Sequence, residues 1–221
     1  MAQKNQTPVE TPENAVSKFE SLVNQYGKLI TWICIAAIVI VAAVLAYNRW
    51  VAAPARQEAQ GQMYTAEHYF VEGDYEKALN GDGNHLGFAQ VIDEYVAKAG
   101  QSVYLYAGIS ALHMDLNQEA IDYLKKYKGK DKIQKGRALC CTGDAYVNLE
   151  EYHTALGYYY KAAAVADNAY RATYLAKAAL VEEELGNDAK ALELYEEIEI
   201  KYAETAEGLE AAKNISRIQN K

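Results

Sequence analysis

Nineteen consecutive residues, 29–47 (LITWICIAAIVIVAAVLAY), contain no charge, no Gly and no Pro. As a helix this run is roughly 28 Å long at ~1.5 Å per residue, close to the ~30 Å hydrocarbon core of a bilayer. The protein's two tryptophans, Trp32 and Trp50, stand at its two ends with Tyr26 and Tyr47 beside them. That is where a membrane span places its amphipathic aromatic belt. The apolar core exceeds the ~7–15 residues of a signal-peptide h-region, and a long polar segment precedes it. Ala53-Pro54-Ala55 imitates a cleavage site, but Arg49 and Trp50 intervene. The run predicts an uncleaved transmembrane helix, anchored at its ends by Trp32, Tyr47 and Trp50. Lys4, Lys18 and Lys28 precede it and Arg49 and Arg56 follow, so the charge balance hardly selects an orientation.

Behind this segment about 170 residues remain, enough for one sizeable domain. Residues 51–221 hold 18 Lys and Arg against 27 Asp and Glu, a net of −9. Nucleic-acid binding needs clustered cations, so an acidic domain argues against that class of partner. Cys34 lies in the apolar run, and Cys140 and Cys141 are neighbours that a helix points in different directions. No disulfide framework, metal-ligand spacing or cofactor motif is expected from them.

The chain divides by pattern into an arm (1–28), the transmembrane helix (29–47), a juxtamembrane linker (48–59) and a repeat domain (60–221). In the arm, Thr11-Pro12-Glu13 predicts a capped helix start, with Val16, Phe19, Leu22, Val23 and Tyr26 at helical spacing. That amphipathic helix rests on the membrane surface or docks a membrane partner. In the domain, Ala120, Ala155 and Ala191 recur at spacings of 35 and 36 residues, in QEAIDYL, HTALGYY and AKALELY. Twelve residues before each stands a small residue (Gly108, Gly143, Ala179), and four after each a large one (Leu124, Tyr159, Tyr195). An earlier copy runs through Ala66, Tyr69, Gly73, Tyr75 and Ala78.

GDYEKAL, LEEYHTALGYYYKA and ELGNDAKALELYEE resemble the tetratricopeptide motif, over about residues 60–203 and four repeats. The resemblance implies antiparallel helix pairs, A and B, that cross closely at the small residues and are spaced by the large ones. The pattern departs at Ala111 and Glu182, where Tyr69 and Tyr146 supply the aromatic of helix A in the other copies. The first copy is interrupted by NGDGNHLG, residues 80–87. Asn80, Asp82 and Asn84 alternate there like calcium ligands, but His85 and Val91 take the places where a calcium loop needs Gly and Glu, so a turn-rich loop is expected. Residues 205–219 (TAEGLEAAKNISRIQ) predict a capped closing helix. The fold class is therefore all-α: a single N-terminal transmembrane helix followed by a tetratricopeptide-repeat α-solenoid with a C-terminal capping helix.

No nucleophile elbow, phosphate loop or metalloprotease motif appears, and an enzyme is not expected. Motif phase instead places Met63, Phe70, Ile109, Leu112, His113, Asp144, Val147, Asn148 and Leu180 on the groove of the solenoid. That largely apolar lining suits extended, unfolded segments of other proteins. Most of the 19 tyrosines fall at packing positions, and Tyr106 and Tyr158 are candidates for peptide contact. Two charge clusters, basic over residues 125–137 and acidic over residues 182–210, are solvated faces or docking patches.

The organisation of arm, single span and repeat solenoid, with AVSKFESLVNQYGKLI leading into the span and YNRW ending it, is similar to the YfgM-type ancillary subunit of the bacterial Sec translocon. The resemblance implies a bacterial inner-membrane protein, single-pass, with a periplasmic C-terminal domain. Its partners would be translocon subunits, periplasmic chaperones and unfolded secretory chains, with lipid met through the anchor. The alternatives are a structural scaffold of another envelope complex, or a cytosol-facing receptor if the topology is reversed.

Overall fold

The computed structural model describes residues 12–165 and 168–220, and every regular element among them is helical. Two units are present, Met1–Pro54 and Ala55–Lys221. The first contains α1 (Pro12–Tyr47) and a π turn, Asn48–Ala52. The apolar side chains of α1 are exposed, Trp32 to 70% and Ile38 to 67%, and the segment is long and apolar enough to cross a membrane. The expected cap at Thr11 lies outside the described residues, as do the side chains of Val16, Phe19, Leu22 and Val23.

In the second unit the helices are α2 (Ala53–Glu72), α3 (Tyr75–Asn80), α4 (Phe88–Tyr95), α5 (Ser102–His113), α6 (Asn117–Lys126), α7 (Lys132–Asn148), α8 (Tyr152–Val165), α9 (Tyr170–Glu184), α10 (Asp188–Lys201) and α11 (Ala206–Gln219). Consecutive helices pack as hairpins, α5 with α6, α7 with α8 and α9 with α10, and α11 closes the stack against α10 and α9. The N-cap hydroxyl of Thr205 accepts from the Gly208 N–H at 3.0 Å, fixing the start of α11.

Four copies share one local logic. The small residues Ala66, Gly108, Gly143 and Ala179 are buried, as are their partners Ala78, Ala120, Ala155 and Ala191 twelve positions on. Between them the chain turns at Gly73, Asp115, Glu150 and Gly186, all at positive φ. After each turn a backbone N–H reaches back five residues. Asp74 donates to the Tyr69 carbonyl, Leu116 to Ala111, Glu151 to Tyr146 and Asn187 to Glu182, at 2.8–2.9 Å. This bond satisfies a carbonyl the ending helix leaves open and sets the angle at which helix B returns.

The first copy carries an additional helix, α4, with Phe88 and Val91 fully buried. The loop before it is built on Asp82. Its Oδ1 accepts from the Asn84 and His85 N–H groups at 2.8 and 2.7 Å, and its Oδ2 from the Tyr69 hydroxyl at 2.8 Å. Those bonds hold the Asp82 carboxyl well below the usual carboxylate range. At the departure from the motif, Glu182 is 3% exposed and accepts from the Tyr160 hydroxyl at 2.9 Å and the Asn187 amide at 2.8 Å. A polar network here replaces the aromatic that Tyr69 and Tyr146 supply in the first and third copies.

Candidate functional site

Helices α7 and α9 present Asp144 and Lys177 to each other, with the Lys177 ammonium 2.6 Å from Asp144 Oδ1. The hydroxyl of Tyr159, on α8, donates to the same oxygen at 2.7 Å. Burial opposes the charge on Lys177 and Asp144 favours it, and the balance raises its pKa. The pair thus neutralises itself between α7 and α9.

Two cavities meet at this pair. One, of about 380 Å³, is lined by Asp144, Val147, Asn148, Tyr159, Lys177, Leu180 and Val181. The other, of about 530 Å³, is lined on α5, α7 and α9 by residues that include Tyr106, Ile133, Arg137, Cys141, Tyr170 and Tyr174 as well as Asp144 and Lys177. Leu180 is 56% exposed, Tyr170 55% and Ile133 47%, so the rim offers apolar side chains to a partner. Burial pushes the Cys141 thiol up to about 11 and the Cys140 thiol further, so both stay protonated at neutral pH and present no thiolate.

Of the groove residues expected from motif phase, Asp144, Val147, Asn148 and Leu180 are brought together in the smaller cavity. Met63 and Ile109 are instead 3% exposed, in the core. Phase alone misplaced them because α2 and α5 are covered on that side by neighbouring helices, not by solvent. Phe70 joins an aromatic cluster with Tyr75, Phe88 and Tyr106, and Leu112 packs partly buried beside the same core. His113 is exposed and stacks on Tyr75 at 4.1 Å. Ile133, Arg137, Tyr170 and Tyr174 were missed. They lie towards the starts of α7 and α9, outside the motif core on which the phase was counted.

Solved structures share this fold, two of MamA among them. A crystal structure of MamA is 22% identical with a TM-score of 0.52, covering 70% of this chain and 92% of its own. A second MamA crystal structure is 22% identical with a TM-score of 0.54, covering 73% and 90%. No family model matches the chain, and no curated protein does. The fold is thus of the tetratricopeptide type, a stack of helix hairpins closed by α11.

Proposed function

We propose that this protein is a membrane-anchored interaction module that takes up extended segments of other proteins on the face around Asp144 and Lys177, without catalysis. The observation that carries this reading is the pairing of two adjoining cavities with exposed Leu180, Tyr170 and Ile133 around an ion pair that needs no outside partner. Such a surface gains affinity by burying apolar side chains, at roughly 25 cal/mol per Å² before ordering costs. The exposed apolar residues of α1 support its role as the anchor. The setting we favour is that of an ancillary subunit of the bacterial Sec translocon, with residues 55–221 in the periplasm meeting secretory chains or their chaperones. This rests on the likeness of the arm and span to that family.

The test uses the full chain in nanodiscs with a translocation-arrested secretory precursor. Leu180→Asp with Tyr170→Asp is expected to abolish crosslinking while the helical circular dichroism is kept. Crosslinking equal to the parent's defeats the reading. Protease added to intact spheroplasts should digest residues 55–221. Survival of that domain beside a digested external control makes the protein a cytosol-facing receptor instead.

A further inference from the structure

The opposite side of α7 holds a third cavity, of about 360 Å³, whose lining includes Lys125, Lys128, Lys135, Leu139 and Tyr158. It belongs to the segment 125–137, where seven cations meet a single acid, Asp131, in a domain that is otherwise strongly acidic. None of the seven forms an ion pair among the described residues. Lys125 donates to the Tyr146 hydroxyl at 2.8 Å, and Tyr146 stacks on Tyr158 at 5.3 Å, so an aromatic pair and not a carboxylate holds this ammonium.

The segment is also fixed. Tyr127 is 8% exposed, and its hydroxyl donates to Gln134 Oε1 at 3.0 Å. Gly129 lies so tightly over the Tyr127 ring that a β-carbon there would overlap it. The Lys128 N–H donates to Gln101 Oε1, and Asp131 caps α7 by accepting from the Gln134 N–H at 2.8 Å. A merely solvated basic loop needs none of these ties. They hold unpaired cations beside an apolar floor at low ordering cost to any partner.

We propose that this cavity binds an acidic segment of a partner polypeptide, one that carries an apolar side chain next to its carboxylates. The lysines supply the complementary charge, and Leu139 and Tyr158 receive the apolar group. A flat anionic membrane surface fits less well. It cannot fill a recess, and it would feel the repulsion of a domain of net charge −9, whereas a narrow segment samples chiefly the field within the ~10 Å screening length.

The experiment measures fluorescence anisotropy of a labelled Asp/Glu/Phe peptide with the full chain in nanodiscs of neutral lipid, against the Asn/Gln/Phe counterpart. The acidic peptide should bind and the neutral one should not. Lys128→Glu with Lys135→Glu should weaken binding about tenfold or more, the scale of one well-placed charge contact. Lys130→Glu with Lys132→Glu makes the same charge change away from the lining and should weaken it much less. Leu180→Asp, on α9 beside the cavity at the other side of α7, should leave it unchanged, which separates this site from the groove of the proposed function. Equal losses from both lysine pairs, no preference for the acidic peptide, or loss with Leu180→Asp overturns the proposal. So does a result in which Lys128→Glu with Lys135→Glu releases phosphatidylglycerol vesicles but not peptide. Unchanged circular dichroism in each variant shows that the fold is kept.

Discussion

Gly143 on α7 lies against the ring of Tyr159 on α8 so closely that a β-carbon on it would stand 2.6 Å from the ring's Cε1. Gly108 stands in the same relation to Leu124, sixteen residues on, with 2.5 Å to Cγ. The small and large positions of the repeat are thus the two sides of one contact, and the helix crossing depends on it.

Gly143→Ala is therefore expected to destabilise the domain. Overpacking costs about 1–3 kcal/mol, against a gain of ~1 kcal/mol in helix propensity, so the net loss is about 1 kcal/mol and at most about 2 kcal/mol. Gly157, on α8, has nothing within 4 Å of its virtual β-carbon. Gly157→Ala should be stabilising by up to ~1 kcal/mol, a rise of roughly 2–4 °C in a domain of this size. Thermal melts that move the same way for both substitutions would show that the contact does not set the crossing.

Glu150 holds the turn between α7 and α8 at φ 61° with an exposed side chain. An L-residue pays ~1–2 kcal/mol for that conformation, and Gly does not. Part of the gain is lost to the freedom Gly adds to the unfolded chain, ~0.4–1 kcal/mol. Glu150→Gly should still stabilise by about 0.5 kcal/mol, and Glu150→Ala should not. A denaturation midpoint lowered by Glu150→Gly counts against the turn geometry.

Much of this architecture was legible in the sequence because packing at a helix crossing depends on side-chain size, which recurs with the repeat. Gly108, Gly143, Leu124, Tyr159 and Tyr195 stand where their spacing put them. The polar links between repeats were not legible. Asp144 meets Lys177 across 33 residues, and the Glu183 carboxylate accepts from Nη1 and Nη2 of Arg217 at 2.7 Å across 34. Nothing in either helix alone selects those partners. The acidic run over residues 182–210 reads as a solvated face or a docking patch for the same reason, whereas Glu182 is buried and Glu183 ties α9 to α11. Of the residues chosen by phase, Asp144, Val147, Asn148 and Leu180 share one cavity while Met63 and Ile109 are buried, because which side of a helix is covered depends on its neighbours.

Burial raises several tyrosines. Tyr174, with 4% exposure, and Tyr160, also hydrogen-bonded to Glu182, are pushed up to about 12. Burial and Asp144 move Tyr159, and burial and Glu183 move Tyr195, further in the same direction. An unfolded tyrosine ionises near ~10. Below that pH both states are protonated and the contribution to stability is complete. Between about pH 10 and 12 the unfolded chain releases protons that the folded one keeps, so stability falls as pH rises. Melting temperature should drop steeply across that window, with tyrosinate absorbance appearing together with loss of helix. Full tyrosinate absorbance while the helix persists contradicts the assignment.

Asp144 accepts from both Tyr159 and Lys177 on a single oxygen, so it joins α7 to its own hairpin partner and to the next repeat. Asp144→Ala leaves a phenol and a largely covered ammonium without their acceptor. Such a loss costs about 1–3 kcal/mol, more where a charge is stranded. Removing Lys177 as well should return part of it, since the uncompensated charge is gone. Asp144→Ala with Lys177→Met is therefore expected to be more stable than Asp144→Ala alone, and a double-mutant cycle should report coupling of about 0.5–3 kcal/mol. In a solenoid, stability is shared between neighbouring repeats, so the single variant should also broaden the denaturant transition as α9–α11 begin to open ahead of α5–α8. If Asp144→Ala costs nothing, or the double variant is no more stable than the single one, the pair does not couple these repeats.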